Sequence, residues 1–140
     1  MTNKKPNIGV RDIIFLVLSS IYLVGIKTFF RACDPKEDGS WMVCHWASQA
    51  IIAFAIVIAA ISVLHLIMTS PLVKAGLSLA LIPCVILSAT VPGGFVKLCR
   101  MTTMRCHTIT RPSVLVISII FVVVAVIDVV FQFRSAKKAD

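Results

Sequence analysis

Residues 113–133 read SVLVISIIFVVVAVIDVVFQF, a run whose single charged residue is Asp128. About 18 consecutive apolar residues are enough to carry a helix across the hydrocarbon core of a bilayer. Working back from this run, three more apolar stretches stand out, at about residues 13–30, 46–68 and 77–91. The last is short and contains Pro83, which a membrane helix tolerates when neighbouring groups satisfy the freed carbonyl. Hydrophobic residues fill 59% of the chain and charged residues 14%, against about 25% charged in soluble domains. A chain this short cannot enclose so much apolar surface in a water-soluble core. The sequence therefore predicts one membrane domain over 1–140: an all-α, four-helix transmembrane bundle whose loops at 31–45 and 92–112 share one side.

Charge is placed to match. The net charge is +8, yet Lys and Arg lie almost entirely in tails and loops between apolar runs, with no basic helix to follow a nucleic acid. The pattern predicts contact with membrane lipid headgroups and no nucleic-acid partner. Phe30-Arg31-Ala32, ahead of Cys33, lacks the small-residue pattern of a processing site, so the first run reads as a mature helix. The amino-terminal tail to Arg11 is expected to be mobile, 69–76 to form a tight cationic turn, and Arg134, Lys137 and Lys138 to form a basic tail. The positive-inside count is a tie, with seven Lys and Arg in the termini and central turn and seven on the side of the two loops when Lys27, at the end of the first run, is included. Cysteine pairs in exposed loops fit an oxidising face, so both termini are expected to be cytoplasmic.

The two loops carry the chemistry. Met42-Val43-Cys44-His45 leads into the second apolar run and Met104-Arg105-Cys106-His107 into the fourth, 62 residues apart. Each has a further cysteine upstream, Cys33 and Cys99. The recurring order of helix, Cys, loop, Met-x-Cys-His and helix reads as two repeated helical hairpins. Because two runs separate the copies, both motifs fall on the same membrane face, as in a parallel repeat.

Several chemistries fit these residues. Disulfides Cys33–Cys44 and Cys99–Cys106 would each close a short loop, stabilising it by about 2–4 kcal/mol on the chain-entropy model, although four cysteines permit other connectivities. A thiol–disulfide relay is similar in layout to the quinone-linked membrane thiol oxidases, but the close Cys-x-x-Cys pair of those enzymes is missing; His45 and His107 would lower the neighbouring thiol pKa values. A metal or haem site would draw on His45 and His107, with Met42 or Met104 adding a thioether for Cu(I). Adjacent Cys and His side chains point apart, which weighs against a shared zinc ion, and covalent haem attachment needs Cys-x-x-Cys-His. The leading expectation is no cofactor.

Within the apolar runs, His65 and Asp128 lie at nearly the same depth and form a candidate intramembrane polar pair. Each charge at mid-bilayer costs about 2.5–3.5 kcal/mol on insertion scales, so the two are expected to face inward, as a structural contact or a proton relay. Ser19, Ser20, Tyr22 and Gln49 read as packing contacts, Lys27 as a snorkelling cation and Cys84 as an inert buried thiol. The acidic first loop, with Asp34, Glu37 and Asp38, faces a basic second loop carrying Lys97, Arg100, Arg105 and Arg111, and the two are expected to close a cap over the bundle.

The stretches DGSWMVCHWASQA (38–50) and CRMTTMRCHTITRP (99–112) resemble the paired signatures of a family of small bacterial four-helix membrane proteins classed as a domain of unknown function. The resemblance spans nearly the whole chain. It implies the topology and a bacterial cytoplasmic membrane, and no established activity. With no phosphate loop, Ser-His-Asp set or zinc-protease helix, the leading expectation is a non-enzymatic accessory subunit of a membrane complex or transporter. A thiol–disulfide redox protein and a haem or metal binder are the alternatives.

Overall fold

The computed structural model describes residues 9–29, 36–97, 100–103 and 105–139. It is an all-α bundle of four helices: α1 (Val10–Lys27), α2 (Val43–Ile67), α3 (Pro71–Thr90) and α4 (Arg111–Ala139). A single π-helical turn, Cys106–Thr110, leads into α4. α1 pairs with α2 and α3 with α4 as two hairpins, and contacts of α2 with α3 and of α1 with α4 close the ring.

Local chemistry sets the helix ends. The Asp12 carboxylate accepts the Gly9 N–H at 2.9 Å, which anchors the first turn of α1. Arg11 therefore belongs to a helix and not to a mobile tail. The turn expected at 69–76 is shorter, because helix begins at residue 71: Pro71 stands at the start of α3, where its fixed φ suits the first turn and its missing N–H costs nothing. Lys74 is thus carried on a helix. α2 begins at Val43, so Cys44 and His45 lie in its first turn, and α4 runs on through Lys137 and Lys138, making the basic tail helical. After α3 the chain turns back at Gly93, whose φ of 98° favours glycine. Gly94 comes so close to the Thr90 carbonyl that a Cβ would press into its oxygen.

Among the described residues, three helices are long and apolar enough to cross a membrane: α2, α3, and the π-turn with α4, at mean hydropathies of 2.8, 2.0 and 3.2. α1 has 18 residues and carries Arg11, Asp12 and Lys27. Ile56, Val57, Val116 and Ile120 are among many large apolar side chains left on the outer surface. A helix that is apolar nearly all round fits lipid outside and packed helices inside.

The repeat is visible in the buried stripes. Ala47, Ile51, Ala55, Ile58, Ser62 and His65 of α2 correspond at an offset of 63 to buried Thr110, Val114, Ser118, Phe121, Ala125 and Asp128. Cys44 and Cys106, both buried, correspond at 62. The π-turn lies between these two registers. One i→i+5 turn takes up one extra residue, so the second hairpin keeps the inward stripe of the first despite its longer spacing.

Candidate functional site

At the end of the bundle nearer the described termini, every helix sends ionisable groups inward. α1 supplies Asp12 from its first turn and α2 supplies His65 near its C-terminus; α3 adds Lys74 and Ser78, and α4 adds Asp128 and Gln132. His65 and Asp128 are 0% exposed and Asp12 is 2% exposed. Helix periodicity accounts for the convergence, since Lys74 and Ser78 are four residues apart on one face of α3, as are Asp128 and Gln132 on α4.

The imidazole of His65 lies between two carboxylates. Its Nδ1 is 2.9 Å from Asp12 Oδ1, and its Nε2 is 3.1 Å from Asp128 Oδ2. The Asp12 contact is close but off the N–H line, so it is an ion-pair approach and not a well-aligned hydrogen bond. Lys74 Nζ donates to Asp12 Oδ2 at 2.6 Å. The Ser78 hydroxyl donates to Asp128 Oδ2 at 2.7 Å and also lies 3.1 Å from His65 Nε2. Asp128 Oδ1 faces Gln132 Nε2 at 3.4 Å and Arg11 Nη1 at 3.2 Å. Arg11 is 39% exposed and its guanidinium lies 5.2 Å from the centre of the Phe131 ring, so it covers the water-facing side. Among the described residues no three His, Cys, Asp or Glu form a ligand set for a metal ion.

Inward of this cluster the bundle is apolar. The Phe15 ring packs 5.1 Å from the His65 ring and 6.0 Å from Phe121. Ile58, Leu81 and Phe121, each seven residues along its helix from His65, Lys74 and Asp128, continue the layer and are all buried. Two buried hydroxyls at this depth are turned onto their own helices, Ser62 to Ile58 O at 2.8 Å and Ser19 to Leu16 O at 3.0 Å. Deeper still, Tyr22 donates to Ser88 Oγ at 2.9 Å, tying α1 to α3.

The opposite end carries the sulfur. Cys44 and Cys106 Sγ atoms lie 3.4 Å apart, in contact but beyond the about 2.05 Å of a disulfide. His45 stacks on Trp41, with ring centres 3.9 Å apart, and meets the edge of Trp46 at 5.8 Å. Its Nε2 is 3.5 Å from Gln49 Nε2. Met42 and His107 are half-buried. Cys33, Cys99 and Met104, named above with these residues, lie outside the described residues, as do Asp34 and Arg31 of the first loop.

Sequence reasoning singled out His65 and Asp128, and the structure brings their side chains within hydrogen-bond distance. It missed Asp12, Lys74, Ser78, Arg11 and Gln132. One signal was available, because Asp12 and Lys74 are separated by 62 residues, the offset of the two Cys-His motifs. The family described as a domain of unknown function, DUF4418, matches residues 15–131 of the chain. No curated protein and no solved structure matches.

Proposed function

The chain belongs to this family of unknown function, and on that premise we propose that it is a proton-responsive multi-pass membrane protein working as an accessory subunit of a membrane complex, such as one built on a transporter. The observation that supports this is the contact of both ring nitrogens of buried His65 with carboxylates. A neutral imidazole has one N–H and one lone pair. It can therefore satisfy one carboxylate while its lone pair faces the other, unless an extra proton sits on the ring or on a carboxyl. A doubly protonated ring places a positive charge between both carboxylates, and the buried charges of Asp12, His65, Lys74 and Asp128 then sum to zero. Buried ionisable groups in membrane segments are a default sign of proton or ion chemistry.

The apolar layer around Phe15, Ile58, Leu81 and Phe121 supports a one-sided site that binds and releases a proton without conducting it. A chain with such a site would serve a partner that does the transport. In this reading α1 is the fourth crossing, with its charges near its two ends, and both termini face the cytoplasm of a bacterial cell. The test is histidine ¹⁵N NMR of the full chain in lipid nanodiscs as the pH is varied. His65, assigned by its loss in His65→Gln, should pass from a two-proton to a one-proton spectrum. A His65 signal that stays neutral and unchanged throughout would end the proposal.

A further inference from the structure

We infer that Arg11 is the alternate counter-ion of the proton site, moving onto Asp128 when the proton leaves and away from it when the proton binds. The inference rests on the proton reading above. Among the described residues, His65 is faced by Asp12 from α1 and Asp128 from α4, while Lys74 from α3 pairs with Asp12 and Arg11 from α1 approaches Asp128. With the ring doubly protonated, the two carboxylates are balanced by imidazolium and ammonium, and the guanidinium is surplus. With the ring neutral, Lys74 balances only one carboxylate. Asp128 is then a fully buried anion whose nearest remaining cation is Arg11.

Arg11 is placed for both states. Its Nη1 reaches Asp128 Oδ1 at 3.2 Å but without the alignment of a hydrogen bond, and the atom is itself buried with no hydrogen-bond partner. The rest of the side chain is 39% exposed and rests against Phe131. A guanidinium keeps its charge at any relevant pH and stays attracted to an aromatic face while it moves. Lys74 has no such freedom, since its ammonium is buried and held 2.6 Å from Asp12. Arg11 and the proton therefore compete for one carboxylate, and by linkage each weakens the binding of the other.

The experiment is the same ¹⁵N titration of His65 in nanodiscs on three variants. Arg11→Ala should raise the proton affinity of the site roughly tenfold, within the usual range of couplings between sites. Arg11→Lys should restore most of the wild-type behaviour, because it returns a mobile cation. Phe131→Leu keeps the charge and removes only the aromatic seat, and should give a smaller change; it also covers the case in which Arg11→Ala fails to fold. If His65 titrates in the wild type and its midpoint is the same in Arg11→Ala and Phe131→Leu, Arg11 has no such role while the proton site stands. If His65 does not titrate in the wild type, both fall together.

Discussion

The two ends of this bundle are held by different kinds of contact. At the charged end the bonds join residues far apart in the chain: Asp12 to Lys74 across 62 positions, His65 to Asp128 across 63, and Ser78 to Asp128 across 50. At the sulfur end the described contacts include local ones, such as Asp38 to Ser40 and His45 to Gln49, beside the long-range contact of Cys44 with Cys106. The difference shows where the helices must meet accurately. An unpaired charge in a dry interior is expensive, so the charged end tolerates little displacement of any helix. The loop end faces water, which can replace a lost partner.

The largest effect should come from breaking the charged end on one side only. His65→Ala would leave two buried carboxylates with fewer donors, and Asp128→Ala would leave imidazole, guanidinium and two neutral polar groups without their acceptor. Removing one partner of a buried pair costs about 3–5 kcal/mol. Unfolding of each variant in detergent or bicelles should show a loss of that order. The double variant His65→Leu/Asp128→Leu removes both partners, and apolar replacement of buried pairs is often neutral or stabilising. It should recover much of the loss while abolishing the His65 titration. A double variant whose loss equals the sum of the two single losses would mean that the two residues are not coupled, and the contrast between the ends would fail.

This contrast also explains what could be read from the sequence. Helix number, the hairpin repeat and the common face of the Cys-His motifs follow from apolar length and parity, which are properties of short windows. His65 and Asp128 were conspicuous because each interrupts an apolar run. Asp12, Arg11 and Lys74 sit at helix starts, where charge is ordinary, so nothing local distinguishes a buried partner from a membrane-flanking one. Only the packing of α1 and α3 against the other helices turns them inward. The π-turn was similarly hidden: the 62-residue motif spacing and the 63-residue stripe spacing are both present in the sequence, but the extra residue means something only once the buried faces are known.

The smallest effect should be found in the first loop, and it tests whether the ends are independent. Asp38 Oδ1 accepts the Ser40 hydroxyl at 2.7 Å and the Ser40 N–H at 3.0 Å. Gly39, at a φ of 77°, lets the turn close, with Gly39 N–H donating to Lys36 O at 2.9 Å. The hydroxyl bond first, then the amide bond, with Lys36 adding a little, hold the Asp38 carboxyl below the usual carboxylate range against a small opposing desolvation. A carboxyl lowered in the folded state contributes to the turn above its ordinary range, and that contribution disappears as pH falls through the lowered value. Ser40→Ala removes the stronger donor and keeps the amide, so the Asp38 midpoint should rise part of the way back, as read by carboxyl ¹³C NMR. The carboxyl is fully exposed, so bundle stability and the His65 spectrum should not move. A Ser40→Ala variant that did shift His65 would show strain passing from loop to cluster through α2, and the two ends would have to be treated as one site.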